Sequence, residues 1–242
     1  DLAETYTRLT REAEAAFGRG QLYLERFVSR MRHIEVQVVR DRFGNCRLPG
    51  LRDCSVQRNN QKLLEESGST LLTEALAREA FNYAERIAAE VDYVGAGTVE
   101  FIYDLDKACL YFMEMNTRLQ VEHPVTELVS GLDIVGVQLA IAAGESIANL
   151  GWKSEGYAIE ARINAEQVLL ENGQFLCQPS PGLVSGLSFP ADPQIKVISC
   201  IGEGKQVAPY YDSLIMQVIA RGGDRPEAIA RLAAFLRQCR VS

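Results

Sequence analysis

Two periodicities divide the chain. Leu2, Tyr6, Leu9, Ala13, Ala16 and Phe17 recur at helical spacing and predict a helix over 1–17, which Gly18-Arg-Gly terminates. Gln21 to Val28 is rich in β-formers and predicts a short strand. From Arg32 to Arg40 the pattern alternates, with Ile34, Val36 and Val38 on one face and His33, Glu35 and Gln37 on the other. Asp41-Arg-Phe-Gly-Asn then reads as a hairpin turn. Glu65 to Thr70 is polar and predicts a loop. Thr73 is placed to cap a helix running to about Glu90, with Leu76, Ala80, Tyr83, Ala84, Ile87 and Val91 as its apolar stripe. Gly95-Ala-Gly-Thr precedes a strand rather than opening a helix, so it predicts a tight turn.

Thr98 to Tyr103 and Cys109 to Glu114 are β-type runs joined by the turn-formers Asp104-Leu-Asp-Lys, which predicts an antiparallel hairpin. Asp133 caps a helix over 134–143 that Gly144 ends. Residues 149–156, with Gly151 and Gly156 around Trp152, form a boundary, and Tyr157 begins a different element. Strands are predicted over 182–189, 195–201 and 214–220. Arg225-Pro-Glu starts a last helix with Ile229, Leu232, Ala233 and Leu236 on one side.

Composition narrows the function classes. The 242 residues carry a net charge of −7, which disfavours broad attraction to nucleic acid or anionic membrane. No apolar run approaches the ~20 residues that cross a bilayer. The six cysteines are scattered without a close pair or a Cys/His cluster, which favours reduced, packed thiols in a reducing compartment. Cys54 fits that reading better than it fits a reactive thiol. Two histidines leave few places for a histidine metal site or a catalytic triad.

Candidate chemistry centres on Phe112 to Glu127. If extended, this stretch projects Glu114, Asn116, Arg118, Gln120 and Glu122 to one side and Met113, Met115, Thr117, Leu119 and Val121 to the other. Setting Phe101 opposite Met113 in the hairpin places Glu100 opposite Glu114, with Cβ atoms roughly 5 Å apart. Two such carboxylates repel unless a cation lies between them, and a hard divalent ion such as Mg²⁺ meets that need. The alternative is a like-charge pair exposed to water. A solvated strand face is likewise the plainer reading of His33, Glu35 and Gln37.

The run Glu114-Met-Asn-Thr-Arg-Leu-Gln-Val-Glu-His-Pro-Val-Thr-Glu resembles the signature of biotin carboxylases, the ATP-grasp components of acetyl-CoA, propionyl-CoA, pyruvate and urea carboxylases. The likeness covers nearly the whole chain. It implies an α+β fold: an ATP-grasp core with an antiparallel sheet and packed helices over 1–150, incomplete at its N-terminus, then a smaller, mainly β, truncated C-terminal domain over 151–242. The implied activity is ATP- and bicarbonate-dependent carboxylation of biotin on a carrier protein, with Mg²⁺ or Mn²⁺. Implied partners are a biotin carboxyl carrier, a carboxyltransferase and further copies of the chain. The implied location is cytoplasmic or, in a eukaryote, the mitochondrial matrix.

Residue by residue, the resemblance implies that Glu100, Glu114 and Asn116 hold the metal. Arg118, Gln120 and the backbone at Val121 hold bicarbonate, Glu122 is the general base, and Arg162 stabilises charge on the biotin ureido oxygen. Glu25-Arg-Phe27 is similar to the hinge that binds adenine, and His33 to a residue lining the nucleotide pocket. Arg52 to Lys62 resembles a loop over the phosphates, in which Gln57 and Lys62 contact ATP or bicarbonate, Lys62 within the catalytic set. Departures are Leu51 for Glu, Asn59 for Arg, Asn60 for His, Gln167 for Asp, and a longer Glu171-Asn-Gly-Gln run. Pro209-Tyr-Tyr-Asp-Ser matches a motif at the interdomain cleft, with Tyr211 and Asp212 as supports.

Relatives carry a preceding domain and a glycine-rich lid, so the chain is expected to be a fragment with weak ATP binding and little turnover. Two other readings stay open at this level: another ATP-grasp acid ligase, and a non-catalytic assembly module that keeps the fold.

Overall fold

Strand β1 explains the layout. Its apolar face, Ile34, Val36 and Val38, has no solvent exposure and packs with Ala80, Ala84 and Ala88 of a helix whose small side chains let it lie close. Its polar face is buried too, so the His33, Glu35 and Gln37 row is not a solvated strand face. Polar groups buried there must find partners from neighbouring strands.

The computed structural model describes residues 1–171 and 173–242. Its elements are α1 (Leu2–Phe17), β1 (Met31–Arg40), β2 (Cys46–Arg47), β3 (Leu51–Arg58), β4 (Gln61–Ser67), α2 (Glu74–Glu90), β5 (Gly95–Asp104), β6 (Cys109–Asn116), α3 (His123–Ser130) and α4 (Ile134–Ala142). The chain continues with β7 (Tyr157–Asn164), β8 (Glu166–Glu171), β9 (Gln174–Pro179), β10 (Gly182–Leu183), β11 (Leu187–Ser188), β12 (Ile195–Ser199), β13 (Gln206–Val207), β14 (Leu214–Gly222), α5 (Arg225–Gln238) and β15 (Arg240–Val241).

Eight strands line up as β12-β14-β7-β4-β3-β1-β5-β6, with β2 added to β1, and every pairing is antiparallel. The sheet crosses the boundary expected at 149–156, because β7 pairs with both β4 and β14. A second apolar cluster lies there, where Leu232 and Phe235 of α5 pack on Ile159 of β7 and Val218 and Ala220 of β14. Among the described residues no single helix is long and apolar enough to cross a membrane.

The helices start and stop where side chains can cap them. Asp1 accepts from Ala3 N, Thr73 from Leu76 N, Asp133 from Gly136 N and Asp224 from Glu227 N. Gly18 closes α1 in the left-handed region at φ 69°.

Several expectations are corrected. Gln21 to Val28 forms no strand: it has β-forming residues but, among the described residues, no neighbouring strand to take its backbone hydrogen bonds, and Tyr23, Leu24 and Phe27 are exposed. Arg52 to Lys62 is the β3–β4 hairpin rather than a loop. Arg58 pairs with Gln61, leaving Asn59 and Asn60 as a two-residue turn with φ of 51° and 63°. A turn of that kind requires positive φ at both positions, which asparagine tolerates better than most residues. Two of the departures therefore have a backbone reason.

Glu65 to Ser67 is not loop but the end of β4, with Glu65 fully buried. Gly95 to Thr98 already belongs to β5. The predicted strand over 182–189 splits into β10 and β11. His123-Pro124 opens α3, a helix whose signal was proline just inside its start and Gly131 just past its end. In the hairpin Glu100 does face Glu114, yet Phe101 faces Phe112, because a bulge intervenes and leaves Met113 without an opposite residue. Glu171 and Gln174 pair at the end of the β8–β9 hairpin, and Asn172 of the longer run lies outside the described residues.

Candidate active site

Register alone assembles a row of charge. Arg52 on β3 stands opposite Glu35 on β1, Glu35 opposite Glu100 on β5, and Glu100 opposite Glu114 on β6. Like charges directly opposite one another destabilise a sheet, so three carboxylates in one row demand compensation. It comes from three cations. Lys62 Nζ donates to Glu35 Oε1, to Glu122 Oε1 at 2.6 Å and to Glu100 Oε1 at 3.4 Å. His33 Nε2 lies 2.9 Å from Glu100 Oε2 and 3.3 Å from Glu35 Oε1.

Arg52 is the third, with no solvent exposure. It donates to Glu35 Oε2 at 3.0 and 3.2 Å, to Gln37 Oε1 and Gln120 Oε1 at 2.8 Å each, to Thr126 Oγ1 at 2.9 Å and to Thr98 Oγ1 at 3.2 Å. Gln120 passes the contact on, donating from Nε2 to Glu100 Oε1 at 2.6 Å.

Titration follows from these contacts. Burial works to lower the pKa of His33, but hydrogen bonds and charge from Glu100 and Glu35 outweigh it and raise the value to about 9, so the ring is cationic at neutral pH. Burial opposes ionisation of Glu35 and Glu100 as well; their contacts with His33, helped by Lys62 and, for Glu35, by Arg52, hold both below the usual range. Burial likewise pushes the Cys54 thiol well up, which bears out a packed, unreactive cysteine.

Of this network, His33, Lys62, Glu100 and Gln120 wall one side of a cavity of about 500 Å³, with Glu35 and Arg52 buried behind them. Of the residues singled out in the sequence, His33, Gln57, Lys62, Glu100, Glu114, Asn116, Arg118, Gln120, Val121, Glu122 and Arg162 all line it. The extended-strand picture that grouped five of them is wrong beyond Asn116, where β6 ends. An irregular turn carries Arg118, Gln120 and Glu122 to the cavity instead. Glu25 and Phe27 are not brought there: both sit exposed in the unpaired segment before β1, Phe27 at 88%. Asp212 lines the cavity and accepts from Leu214 N at 2.9 Å, whereas Tyr211 is exposed and does not line the cavity.

At the metal candidates, Asn116 Nδ2 donates to Glu100 Oε1 at 3.0 Å and to Glu114 Oε1 at 3.1 Å. Arg118 is exposed, bonds only the carbonyl of Leu119 at 3.3 Å and makes no ion pair among the described residues. Glu122 is buried with both oxygens engaged, Oε1 by Lys62 and Oε2 by Arg162 Nη2 at 3.0 Å. Arg162 also donates from Nε to Glu65 Oε1 at 2.6 Å. Gln217 Nε2 donates to the carbonyl of Val121 at 2.8 Å and so ties this turn to β14.

Sequence reasoning missed Arg52, Glu65 and Glu160 as parts of this network. Nothing local marks them; only strand pairing shows that they are buried. Glu35 was visible in the alternation but not separable from a solvated strand face.

Comparison with known proteins agrees with this geometry. The family model for the carbamoyl-phosphate synthase L chain, ATP binding domain, matches residues 1–150, and that for the biotin carboxylase C-terminal domain matches 160–242. The biotin carboxylase of Nostoc sp. is 45% identical over 233 residues, covering 96% of this chain and 51% of that protein. The Campylobacter jejuni biotin carboxylase, solved as a complex with a β-γ-ATP ligand, superposes with a TM-score of 0.90 at 40% identity, over 99% of this chain and 52% of that one. The biotin carboxylase domain dimer of Hydrogenobacter thermophilus 2-oxoglutarate carboxylase, solved with MgADP, ADP and bicarbonate, gives 0.90 at 42% identity, over 100% and 52%. The chain spans about half the length of these relatives.

Proposed function

Since this chain belongs to the biotin carboxylase family, we propose that its cavity serves the ATP- and bicarbonate-dependent carboxylation of biotin within a larger protein. One observation carries the reading: the Glu100–Glu114 pair, the guanidinium of Arg118, without an ion pair among the described residues, and the doubly engaged carboxylate of Glu122 share a single cavity.

The donor set fits a hard divalent cation. One oxygen from each of Glu100 and Glu114 already converges on the small amide of Asn116, and Glu114 is open to solvent. Mg²⁺ or Mn²⁺ held by these three residues would neutralise charge on the phosphates of bound ATP. Lys62 adds a fixed positive charge beside them, and His33 with Gln57 forms the adjoining wall of the nucleotide pocket.

Arg118 presents a guanidinium fork that suits a planar oxyanion such as bicarbonate. Gln120, pinned between Arg52 and Glu100, gives that anion a rigid neighbour, and Val121 supplies backbone. Glu122 is the general base. On taking a proton it loses the charge that Arg162 is paired with, while Arg162 keeps Glu65. Its Nη2 is thereby released to stabilise an oxyanion on the biotin ureido group.

Biotin would arrive on a carrier protein or domain and leave for a carboxyltransferase. The division into an ATP-grasp portion over 1–150 and a C-terminal portion over 151–242 puts Arg162 and Asp212 on the second side of the cavity. Self-association is proposed by analogy with the dimeric Hydrogenobacter domain.

The test uses the complete polypeptide that carries these residues. ATP cleavage should require bicarbonate and rise with free biotin, and Glu122→Gln should lower it by about 10²- to 10⁴-fold. Cleavage indifferent to bicarbonate and biotin would refute the proposal.

A further inference from the structure

Glu65 on β4 and Glu160 on β7 are direct cross-strand partners, and neither has any solvent exposure. Each uses one oxygen: Glu65 Oε1 accepts from Arg162 Nε at 2.6 Å and Glu160 Oε1 from Gln217 Nε2 at 2.7 Å. The other oxygen of each, Oε2, is buried without a hydrogen-bond partner among the described residues. Two orphaned carboxylate oxygens on neighbouring strands are costly as a pair of acceptors. A proton held on one of the two groups lifts the repulsion and turns one orphaned acceptor into a donor.

We infer that Glu65 and Glu160 hold a single shared proton and act together as a positioning pair for Arg162. The ionisable groups facing the pair are Arg162 on β7, Glu122 at the start of α3 and Glu35 on β1, with neutral Gln217 on β14. Glu35 is engaged by Lys62, Arg52 and His33 and Glu122 by Lys62, which leaves Arg162, itself shared with Glu122, as the cation in contact with the pair. Burial, with Glu65 beside it, pushes Glu160 well above the usual carboxylate range, and burial raises Glu65 to about 7 despite Arg162.

The consequence is electrostatic. With the proton in place the pair carries one negative charge, which Arg162 balances. Loss of the proton adds a second charge behind Arg162, which lines the cavity that, on the proposed carboxylation reading, must admit bicarbonate, so anion affinity should fall as pH rises. Glu160→Gln caps the pair at one charge at every pH.

Two measurements on the complete polypeptide test this. The first is infrared spectroscopy near neutral pH, where the wild type should show the carbonyl stretch of a buried neutral carboxylic acid that Glu160→Gln and Glu65→Gln each lose. It needs no turnover, so it is independent of the proposed activity. The second is the KM for bicarbonate against pH, which should rise several-fold on the alkaline side in the wild type and stay flatter in Glu160→Gln. Absence of the neutral-acid band from the wild type, its persistence in both variants, or a KM profile unchanged by Glu160→Gln would each overturn the inference.

Discussion

Arg52 Nη2 donates to Gln120 Oε1 over 2.8 Å, and through that bond a guanidinium sealed from solvent fixes a side chain at the cavity wall. The same arginine binds Glu35, Gln37, Thr98 and Thr126, so strands β1, β3 and β5 and helix α3 meet on one charge. Removing it leaves a buried carboxylate and several acceptors unpaired. Arg52→Met is expected to destabilise the fold by about 3–5 kcal/mol, read from the denaturant midpoint. A loss below about 1 kcal/mol would mean that the buried network relaxes or admits water.

His33 links stability to pH. Its folded-state pKa of about 9 lies above the ordinary 6.5, so its contribution is fully present below pH 6.5 and lost as pH rises through about 9. The shift corresponds to at most about 3–4 kcal/mol. Unfolding titrations at pH 6 and pH 10 should show that loss, and His33→Gln should flatten it. Equal slopes in the two proteins would disprove the assignment.

Glu114 differs from the other carboxylates of its row in being solvent-exposed, so replacing it leaves no buried charge behind. Glu114→Gln in the complete polypeptide should preserve the melting temperature while weakening Mg²⁺-nucleotide binding by about 10- to 100-fold, as measured by titration calorimetry. Unaltered binding would remove Glu114 from the metal site.

The Asn59-Asn60 turn, although Asn60 lines the cavity, can be probed through stability alone. Asn60→Val forces a β-branched residue to φ of 63° and should cost about 1–2 kcal/mol. Asn60→Gly should be neutral to mildly stabilising. Thermal melting of the two variants distinguishes them, and equal effects would show that the turn opens without penalty.

By itself the sequence determined the short-range features. The alternation in β1, the helix caps at Thr73 and Asp133, and the pairing of Glu100 with Glu114 all follow from interactions between residues near in sequence. The polar series from Glu114 to Glu122 also pointed correctly to one cavity, although a bulge and a turn, rather than a continuous strand, bring it there. Only the tertiary structure decided which polar residues are interior. Glu65 lies in a stretch as polar as a loop, and it is buried because Arg162, distant along the chain, supplies its counter-charge. Gln21 to Val28 shows the converse, a β-prone run left irregular because no strand lies alongside it. In both cases the free energy of a polar or backbone group depends on what arrives from elsewhere in the chain, and no local pattern of side chains records that arrival.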